Sequence, residues 1–413
     1  MGTRTGGARL ATEIDVRRSR GGPLKIAFVS TSVPRRCGIA TFTADLKAAV
    51  CAADPGARCL HAAIDEPVTV RAYGPDVRWR IRQGDAGSYG RAAAAITAAG
   101  VDVVNLQHEF GLYGTWHDGV FTDNLRPFLE ELRVPLVTTL HSLPPDPSPS
   151  MRDAVRTVAA RSDAVVVMAQ LAARSLAGRY GVTKPPVVIP HGMPSVQPHG
   201  RRRLKKKLGI EGRAVITTFG LVDPRKGIQH MIAAMPAIVA RHPTAIYLIV
   251  GQTHPELLRA AGEAYRNELV ALVERLDMAG HVAFVNEYLT QRQVVDHLLA
   301  SDVYVTPYLD PDQITSGTLA YALGAGKAIV STRYLHAIEA LADDRGVLVD
   351  FASATQLAEA ISGILGDPVR KQLLEHRAYT YGHESAWPLV GRRVVELMSE
   401  VIGIRPGAAA LIA

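Results

Sequence analysis

Short apolar runs, separated by longer amphipathic stretches, recur along most of this 413-residue chain, and no other feature constrains its fold as strongly. Segments 24–30 (LKIAFVS), 101–107 (VDVVNLQ), 134–140 (VPLVTTL), 163–168 (DAVVVM) and 186–190 (PVVIP) are near-continuous Val/Ile/Leu runs. Such runs suit parallel strands covered on both faces, because alternation is lost when neither face meets water. Ala-rich segments of helical period, including 39–53 and 150–161, lie between them. Strand–helix alternation of this kind marks an α/β domain.

The alternation then breaks. Residues 191–200 (HGMPSVQPHG) are rich in Pro, Gly and His, lack periodicity and read as a linker. A short basic helix, 201–210, follows. A second set of strands is expected at 214–220, 245–251, 281–285, 302–307, 327–332 and 346–350. Helices fit at 227–241, 255–276, 290–300, 317–325 and 353–365, with one more over 384–402. The chain is therefore expected to hold two α/β domains, 24–194 and 195–383, after a loose Gly/Arg-rich tail over 1–23. A cleft between two such domains is the default ligand site.

Composition narrows the function classes. Hydrophobic residues make up 47% and charged residues 21%, which excludes a largely disordered chain. Three cysteines, Cys37, Cys51 and Cys59, show no C-x-x-C spacing and suggest neither a zinc site nor a disulfide framework, so a reducing, cytoplasmic compartment is expected. The net charge of +7 is local: residues 1–22 contribute +3 and 201–207 contribute +6, leaving −2 elsewhere. That distribution argues against nucleic acid as a partner. The 201–207 patch reads as a solvated helix face; the alternative is weak peripheral contact with an anionic inner-membrane face. No apolar run is long enough for a membrane span, and the first 22 residues lack the apolar core of a secretory signal.

Common catalytic signatures are missing: no G-x-S-x-G, no H-E-x-x-H, no P-loop and no G-x-G-x-x-G after the first strand. Asp310-Pro311-Asp312 reads as turn chemistry in preference to a metal site. Four stretches carry more. In 33–46 (VPRRCGIATFTADL), Gly38 permits close backbone approach beside a helix N-terminus, whose free N–H groups suit an anion. In 219–232, a strand ends at Gly220, and Arg225 and Lys226 sit where the next helix starts; two cations there suit a diphosphate. In 309–332, Thr315-Ser316-Gly317-Thr318 opens an amphipathic helix and offers hydroxyl and N–H donors to phosphate. In 103–114 and 137–142, His108, Glu109 and His141 stand at the carboxyl ends of strands, where α/β sheets bind ligands.

The order and spacing of these stretches resemble the family 4 glycosyltransferases of the GT-B fold, from Leu24 to about residue 400. VIPHGM (188–193), FGLVDPRKG (219–227), FVNEYLTQRQVVDHLLASDVYVTPY (284–308) and LAYALGAGKAIVST (319–332) each look like a piece of that family, and their ordered set is specific. The resemblance implies two Rossmann-like, doubly wound parallel-sheet domains facing across a cleft. It implies retaining transfer of a mannose- or glucose-type hexose from a GDP-, UDP- or ADP-linked sugar to a carbohydrate or glycolipid. It assigns the acceptor to the first domain, the donor to the second, and the 384–403 helix to a return onto the first domain. No cofactor and no metal are implied.

Carried over by position, Lys226 binds the donor diphosphate and His141 lies beside the transferred sugar. Gly38, Ser316, Gly317 and Thr318 contact phosphate, Gly220 belongs to the phosphate loop, and Asn286 and Tyr288 border the base. His108 and Glu109 face the acceptor. The family's E-x(7)-E glutamates are replaced by Gln313, which hydrogen-bonds a sugar hydroxyl, and Tyr321, which reaches a ribose hydroxyl or packs in the core. Leu221 stands at the family's arginine, so Arg225 supplies the second cation. An epimerase or a phosphorylase fits these positions less well. A nucleotide-sugar-binding scaffold without turnover is the alternative that the two lost glutamates favour.

Overall fold

The computed structural model describes residues 23–66, 71–117 and 120–403 and divides them into two compact units. One comprises the chain up to Gly192 together with the segment from Trp387; the other runs from Met193 to Ala386. The tail expected over 1–23 lies, except for Pro23, outside the described residues.

The first unit is built on strands β1 (Lys25–Ser30), β2 (Arg58–Asp65), β3 (Val77–Arg82), β4 (Val103–His108), β5 (Gly114–His117), β6 (Val120–Asp123), β7 (Leu136–Leu140), β8 (Ala164–Val167) and β9 (Val187–Val188). Seven of them form one sheet in the order β3-β2-β1-β4-β7-β8-β9, while β5 and β6 pair as a separate antiparallel hairpin. All neighbours in the large sheet are parallel, with Ala27 opposite both Leu60 and Val104. Strand order reverses between β1 and β4, which opens a crevice at the carboxyl ends of the strands. The uninterrupted apolar runs follow from this placement: β4 and β7 are buried along their whole length.

The second unit repeats the plan. Strands β10 (Ala214–Phe219), β11 (Ala245–Val250), β12 (Val282–Val285), β13 (Val303–Thr306), β14 (Ala328–Thr332) and β15 (Val347–Val349) form a parallel sheet in the order β12-β11-β10-β13-β14-β15. Its switch point lies between β10 and β13. Helices Ile228–Arg241 and Ala354–Leu365 pack into one face, and Gly317–Gly324 into the other.

Two strands and the hairpin pairing sharpen the sequence reading. β2 begins with exposed Arg58, and β3 (VRWRIR) alternates as an edge strand, with Arg78, Arg80 and Arg82 exposed and Ile81 buried. Neither carries the continuous apolar run that betrays the inner strands. The helix expected over 255–276 is two, Pro255–Ala261 and Ala264–Arg275, parted at Gly262. A further helix, Pro368–His383, is capped by the Asp367 carboxylate, which accepts from Arg370 N.

The basic run is a docked helix, Arg201–Lys207, with Leu204 buried beneath it. Arg201 pairs with Glu375 at 2.5 Å, Lys205 with Asp302 at 2.5 Å and Lys207 with Asp296 at 2.7 Å. Arg202 also stands 3.8 Å from Glu211, so four of the six cations expected to face solvent or a membrane lie within ion-pair distance of an acidic side chain.

The helix Trp387–Val401 belongs to the first unit's core. Trp387, Val390, Val394, Leu397 and Met398 are buried with Phe28, Phe42, Leu46 and Val50. The chain has to make room for it: a Cβ at Gly192 would sit 2.1 Å from the Trp387 ring.

Candidate functional site

The carboxyl edge of the second unit's sheet gathers most of the phosphate-suited residues. Gly220 follows β10, and the chain then enters a single 3-10 turn, Pro224–Lys226, before the helix begins at Ile228. Arg225 and Lys226 therefore precede that helix; they do not open it. Gly227 makes the junction with φ +62°, and a Cβ there would lie 1.9 Å from the Pro307 carbonyl oxygen, so no other residue fits without moving backbone. Leu309 N donates to Arg225 O at 2.8 Å, which ties this turn to the segment after β13.

Arg225 and Lys226 differ sharply. The Asp223 carboxylate accepts from Arg225 N at 2.8 Å, Nη2 at 2.8 Å and Nε at 3.2 Å. Burial raises the Asp223 carboxyl, but these bonds prevail and hold it below the usual range. The guanidinium expected to be a free second cation is thus already paired, although it remains exposed. Lys226 carries its charge elsewhere: Nζ stands 3.8 Å from the centre of the Tyr308 ring. Burial pushes its ammonium down to about 8, against the pull of Asp223. A desolvated ammonium on an aromatic face gains from any anion that reaches it.

Tyr308 links that lysine to the next helix. It is fully buried, stacked on Tyr334 with ring centroids 5.4 Å apart, and its hydroxyl lies 2.6 Å from Thr318 Oγ1. Ser316 caps the helix Gly317–Gly324: its Oγ accepts from Leu319 N at 3.3 Å and meets Thr318 Oγ1 at 3.1 Å. Ser316 N is committed, because it donates to His336 Nδ1 at 2.9 Å. Gly317 and Thr318 follow at the first two helical positions, where backbone N–H groups have no intrahelical acceptor. The N–H expected at Ser316 is thus taken by His336, which leaves those of Gly317 and Thr318 at the helix start.

Gln313 and Tyr321 are both engaged in internal hydrogen bonds. Gln313 Nε2 donates to Thr315 O at 3.0 Å. Tyr321 is 8% exposed, packs its ring against Phe219 at 6.0 Å and accepts from Gln291 Nε2 at 2.9 Å through its hydroxyl. Of the two readings for Tyr321, the structure realises the core aromatic. Asn286 and Tyr288 follow β12 in an exposed loop. Asp310 Oδ1 accepts from Asp312 N at 3.0 Å, the turn chemistry expected of that pair.

The first unit's sheet presents a second cluster at its own carboxyl edge. The helix Gly38–Ala53 starts here, with Cys37 as its cap: Cys37 Sγ accepts from Ala40 N at 3.4 Å and lies 3.1 Å from Thr31 Oγ1. A Cβ at Gly38 would meet nothing within 4 Å, so the backbone there is open to an approaching group.

His141 follows β7, and its Nε2 lies 2.7 Å from Gln107 Oε1. Gln107 is itself fixed, since its Nε2 donates to Asn105 Oδ1 and, at 3.5 Å, to Thr139 Oγ1. An amide oxygen only accepts, so His141 carries its proton on Nε2 and leaves Nδ1 as an acceptor. Burial pushes His141 down to about 3, with His191 and His108 acting in the same direction, so it is a neutral imidazole at physiological pH. Phe42 holds it edge-on at 4.8 Å and also contacts His191 and Trp387.

Sequence reading picked His141 but missed Gln107, although the polar alternation Asn105, Gln107 within an apolar strand was its visible signal. It likewise missed Tyr308 and His336, which read as ordinary aromatic and helix residues.

His108 and Glu109 separate. His108 is 1% exposed, stacked on Tyr113 at 5.6 Å and edge-on to Phe110 at 5.3 Å. Its expected role facing an acceptor is corrected: the last residue of β4 points into the sheet's covering layer. Glu109 is half-buried and accepts from Ser142 Oγ at 3.5 Å, beside His141.

Two parallel sheets, each with polar groups and a helix N-terminus at its switch point, define a doubly wound α/β protein with two such units. Family comparison makes this specific. Residues 200–383 match the family described as glycosyl transferases group 1, and residues 47–195 match glycosyltransferase family 4. The chain belongs to the family 4 glycosyltransferases, and its fold is of the GT-B type.

Among curated proteins it is 31% identical over 195 residues to the phosphatidyl-myo-inositol mannosyltransferase of Mycolicibacterium smegmatis, covering 47% of this chain and 46% of that protein. It is 25% identical over 266 residues to the GDP-mannose-dependent alpha-(1-6)-phosphatidylinositol monomannoside mannosyltransferase of the same organism, covering 61% and 66%. The matched stretches thus span between about half and two-thirds of these relatives. Among solved structures, Anabaena HepE in complex with UDP and glucose superposes with a TM-score of 0.69 at 18% identity, covering 91% of this chain and all of that one. Among the described residues, no helix is long and apolar enough to cross a membrane.

Proposed function

We propose that this chain transfers a hexose, mannose from GDP-mannose first among the candidates, to a glycolipid acceptor, with retained configuration and without a metal ion. One observation carries the donor half of this reading: the Lys226 ammonium and the open N-terminus of the helix Gly317–Gly324 are joined through Tyr308, 3.8 Å from one and 2.6 Å from the Thr318 hydroxyl of the other. Cation and N–H donors converge from two loops at one sheet edge, as a diphosphate leaving group requires. The mannosyltransferase names of the sequence relatives support GDP-mannose and a glycolipid.

In this reading, the second unit holds the donor and the first holds the acceptor. Lys226 and the N–H groups of Gly317 and Thr318 take the growing charge of the diphosphate, while Arg225 contributes at longer range through its ion pair. His141, neutral and oriented by Gln107, accepts a hydrogen bond from a sugar hydroxyl at Nδ1. Gly38 lets backbone approach phosphate, Gly220 shapes the same loop region, and Asn286 and Tyr288 flank the base. Glu109 meets the acceptor. A departing phosphate oxygen takes the acceptor proton, so no protein nucleophile is needed where Gln313 and Tyr321 replace glutamates.

The test is transfer of label from GDP-mannose, UDP-glucose or ADP-glucose into a glycolipid extract, with and without EDTA. Label is expected to enter the lipid fraction from GDP-mannose, unaffected by EDTA. A second reading, a nucleotide-sugar-binding scaffold, draws on the internal hydrogen bonds of Gln313 and Tyr321. Donor binding without any turnover would establish the scaffold and defeat the transferase.

A further inference from the structure

Cys51 and Cys59 are eight residues apart in sequence and were not expected to interact. The fold brings them together. Cys51 lies in the last turn of the helix Gly38–Ala53, and Cys59 is the second residue of β2. Their Sγ atoms are 3.1 Å apart, and both are free thiols. That is nearer than two unbonded sulfurs ordinarily rest, and it leaves roughly 1 Å to the length of a disulfide. Cys51 is exposed, whereas Cys59 is half-buried against the first unit's core.

We propose that Cys51 and Cys59 form an oxidation site: a thiol pair that meets a hydroperoxide and stores the oxidation as an intramolecular disulfide. The two thiols divide the work by exposure. Cys51, as thiolate, attacks the hydroperoxide oxygen; the O–O bond breaks, the alcohol or water leaves, and Cys51 becomes a sulfenic acid. Cys59 then attacks the Cys51 sulfur, the S–O bond breaks, and the Cys59 proton leaves with the hydroxide as water. Two thiols are oxidised by two electrons and one peroxide bond is reduced. Burial raises the Cys59 thiol well above the ordinary range, with Cys51 adding to the effect and Lys47 opposing it. Cys59 is therefore the weaker nucleophile of the two, which leaves the first attack on peroxide to the exposed Cys51.

The third cysteine provides an internal contrast. Cys37 caps the opposite end of the same helix, where it is hydrogen bonded to Thr31 and Ala40. The new bond would fasten the end of this helix to β2, at the edge of the sheet away from Gly38 and His141.

The experiment exposes the reduced full-length chain to stoichiometric hydrogen peroxide, alkylates remaining thiols under denaturing conditions, and maps tryptic peptides. Cleavage after Lys47 and Arg58 puts Cys51 in peptide 48–58 and Cys59 in peptide 59–71. The expected product joins those two peptides, has lost two hydrogen atoms, returns to two alkylated peptides on reduction and leaves Cys37 alkylated. In Cys59→Ser, a dimedone adduct on Cys51 should accumulate in place of the cross-link; in Cys51→Ser, neither should form. A joined pair should also unfold several degrees higher than the reduced chain. Two outcomes overturn the proposal: both peptides remaining fully alkylated after Cys37 has been consumed, or peroxide oxidising Cys51 to sulfinic acid without the cross-link.

Discussion

Lys226 is where burial and charge oppose each other most directly, and its behaviour follows from that opposition. The ammonium is held down to about 8 by desolvation and rests on the Tyr308 ring. Binding a diphosphate requires the charged form. Nucleoside-diphosphate affinity should therefore be flat below about pH 8 and fall above it, approaching about tenfold per pH unit as one proton becomes linked to binding. In Lys226→Ala, calorimetry should show weaker binding by on the order of 2 kcal/mol and no such slope. A mutant with unchanged affinity would remove Lys226 from the site. At this scale the sequence was partly legible. Lysine beside a helix start signalled itself, but its partner did not: Tyr308 is an aromatic at a strand end until the fold sets it under the ammonium. His141 was visible for the same reason as Lys226. Gln107, which sets its tautomer, lies in another strand, and Arg225 lost its expected freedom to Asp223 only once the turn closed.

At the scale of elements, two glycines separate folding from binding. Gly227 joins the 3-10 turn to its helix at positive φ with the Pro307 carbonyl in the way of any Cβ, whereas Gly38 opens its helix with nothing nearby. Gly227→Ala should destabilise the chain by roughly 1–3 kcal/mol, the usual cost of forcing atoms into filled space, and thermal unfolding measures it. Gly38→Ala should leave the unfolding midpoint in place and weaken donor binding; an unchanged donor affinity would release Gly38 from the site. The inner strands and most helices were legible because continuous apolar runs report burial on both faces. The edge strand β3 was not, because its alternating arginines face outward, and the hairpin β5–β6 is too short to show a period. Gly262 divided what had read as one long helix, since periodicity continues across a break that only backbone geometry reveals.

The whole molecule depends on where its last helix packs. Trp387–Val401 follows the second unit in sequence but fills the first unit's core. Val390, Val394, Leu397 and Met398 are each worth about 1.5–3 kcal/mol when fully buried. Their sum is comparable to the roughly 5–15 kcal/mol that keeps a domain folded. A chain truncated after Ala386 should therefore lose the cooperative unfolding of its first unit while the second unit melts as before. Two intact transitions in the truncated protein would contradict this. The helix itself could be read from the sequence, but the packing face could not, because Phe42, Leu46 and Val50 lie more than 300 residues upstream.

The central claim is that the second unit's sheet edge holds a nucleoside diphosphate through Lys226 and the N-terminus at Gly317. It is tested most directly by thermal shift across UDP, GDP, ADP and their sugar conjugates, on the wild-type chain and on Lys226→Ala. A ligand that binds only the folded state raises its unfolding midpoint in proportion to its affinity. The account predicts a clear shift for one base family, GDP first, that is lost in Lys226→Ala. No shift with any nucleotide, confirmed by calorimetry, or an equal shift in the mutant, would contradict it.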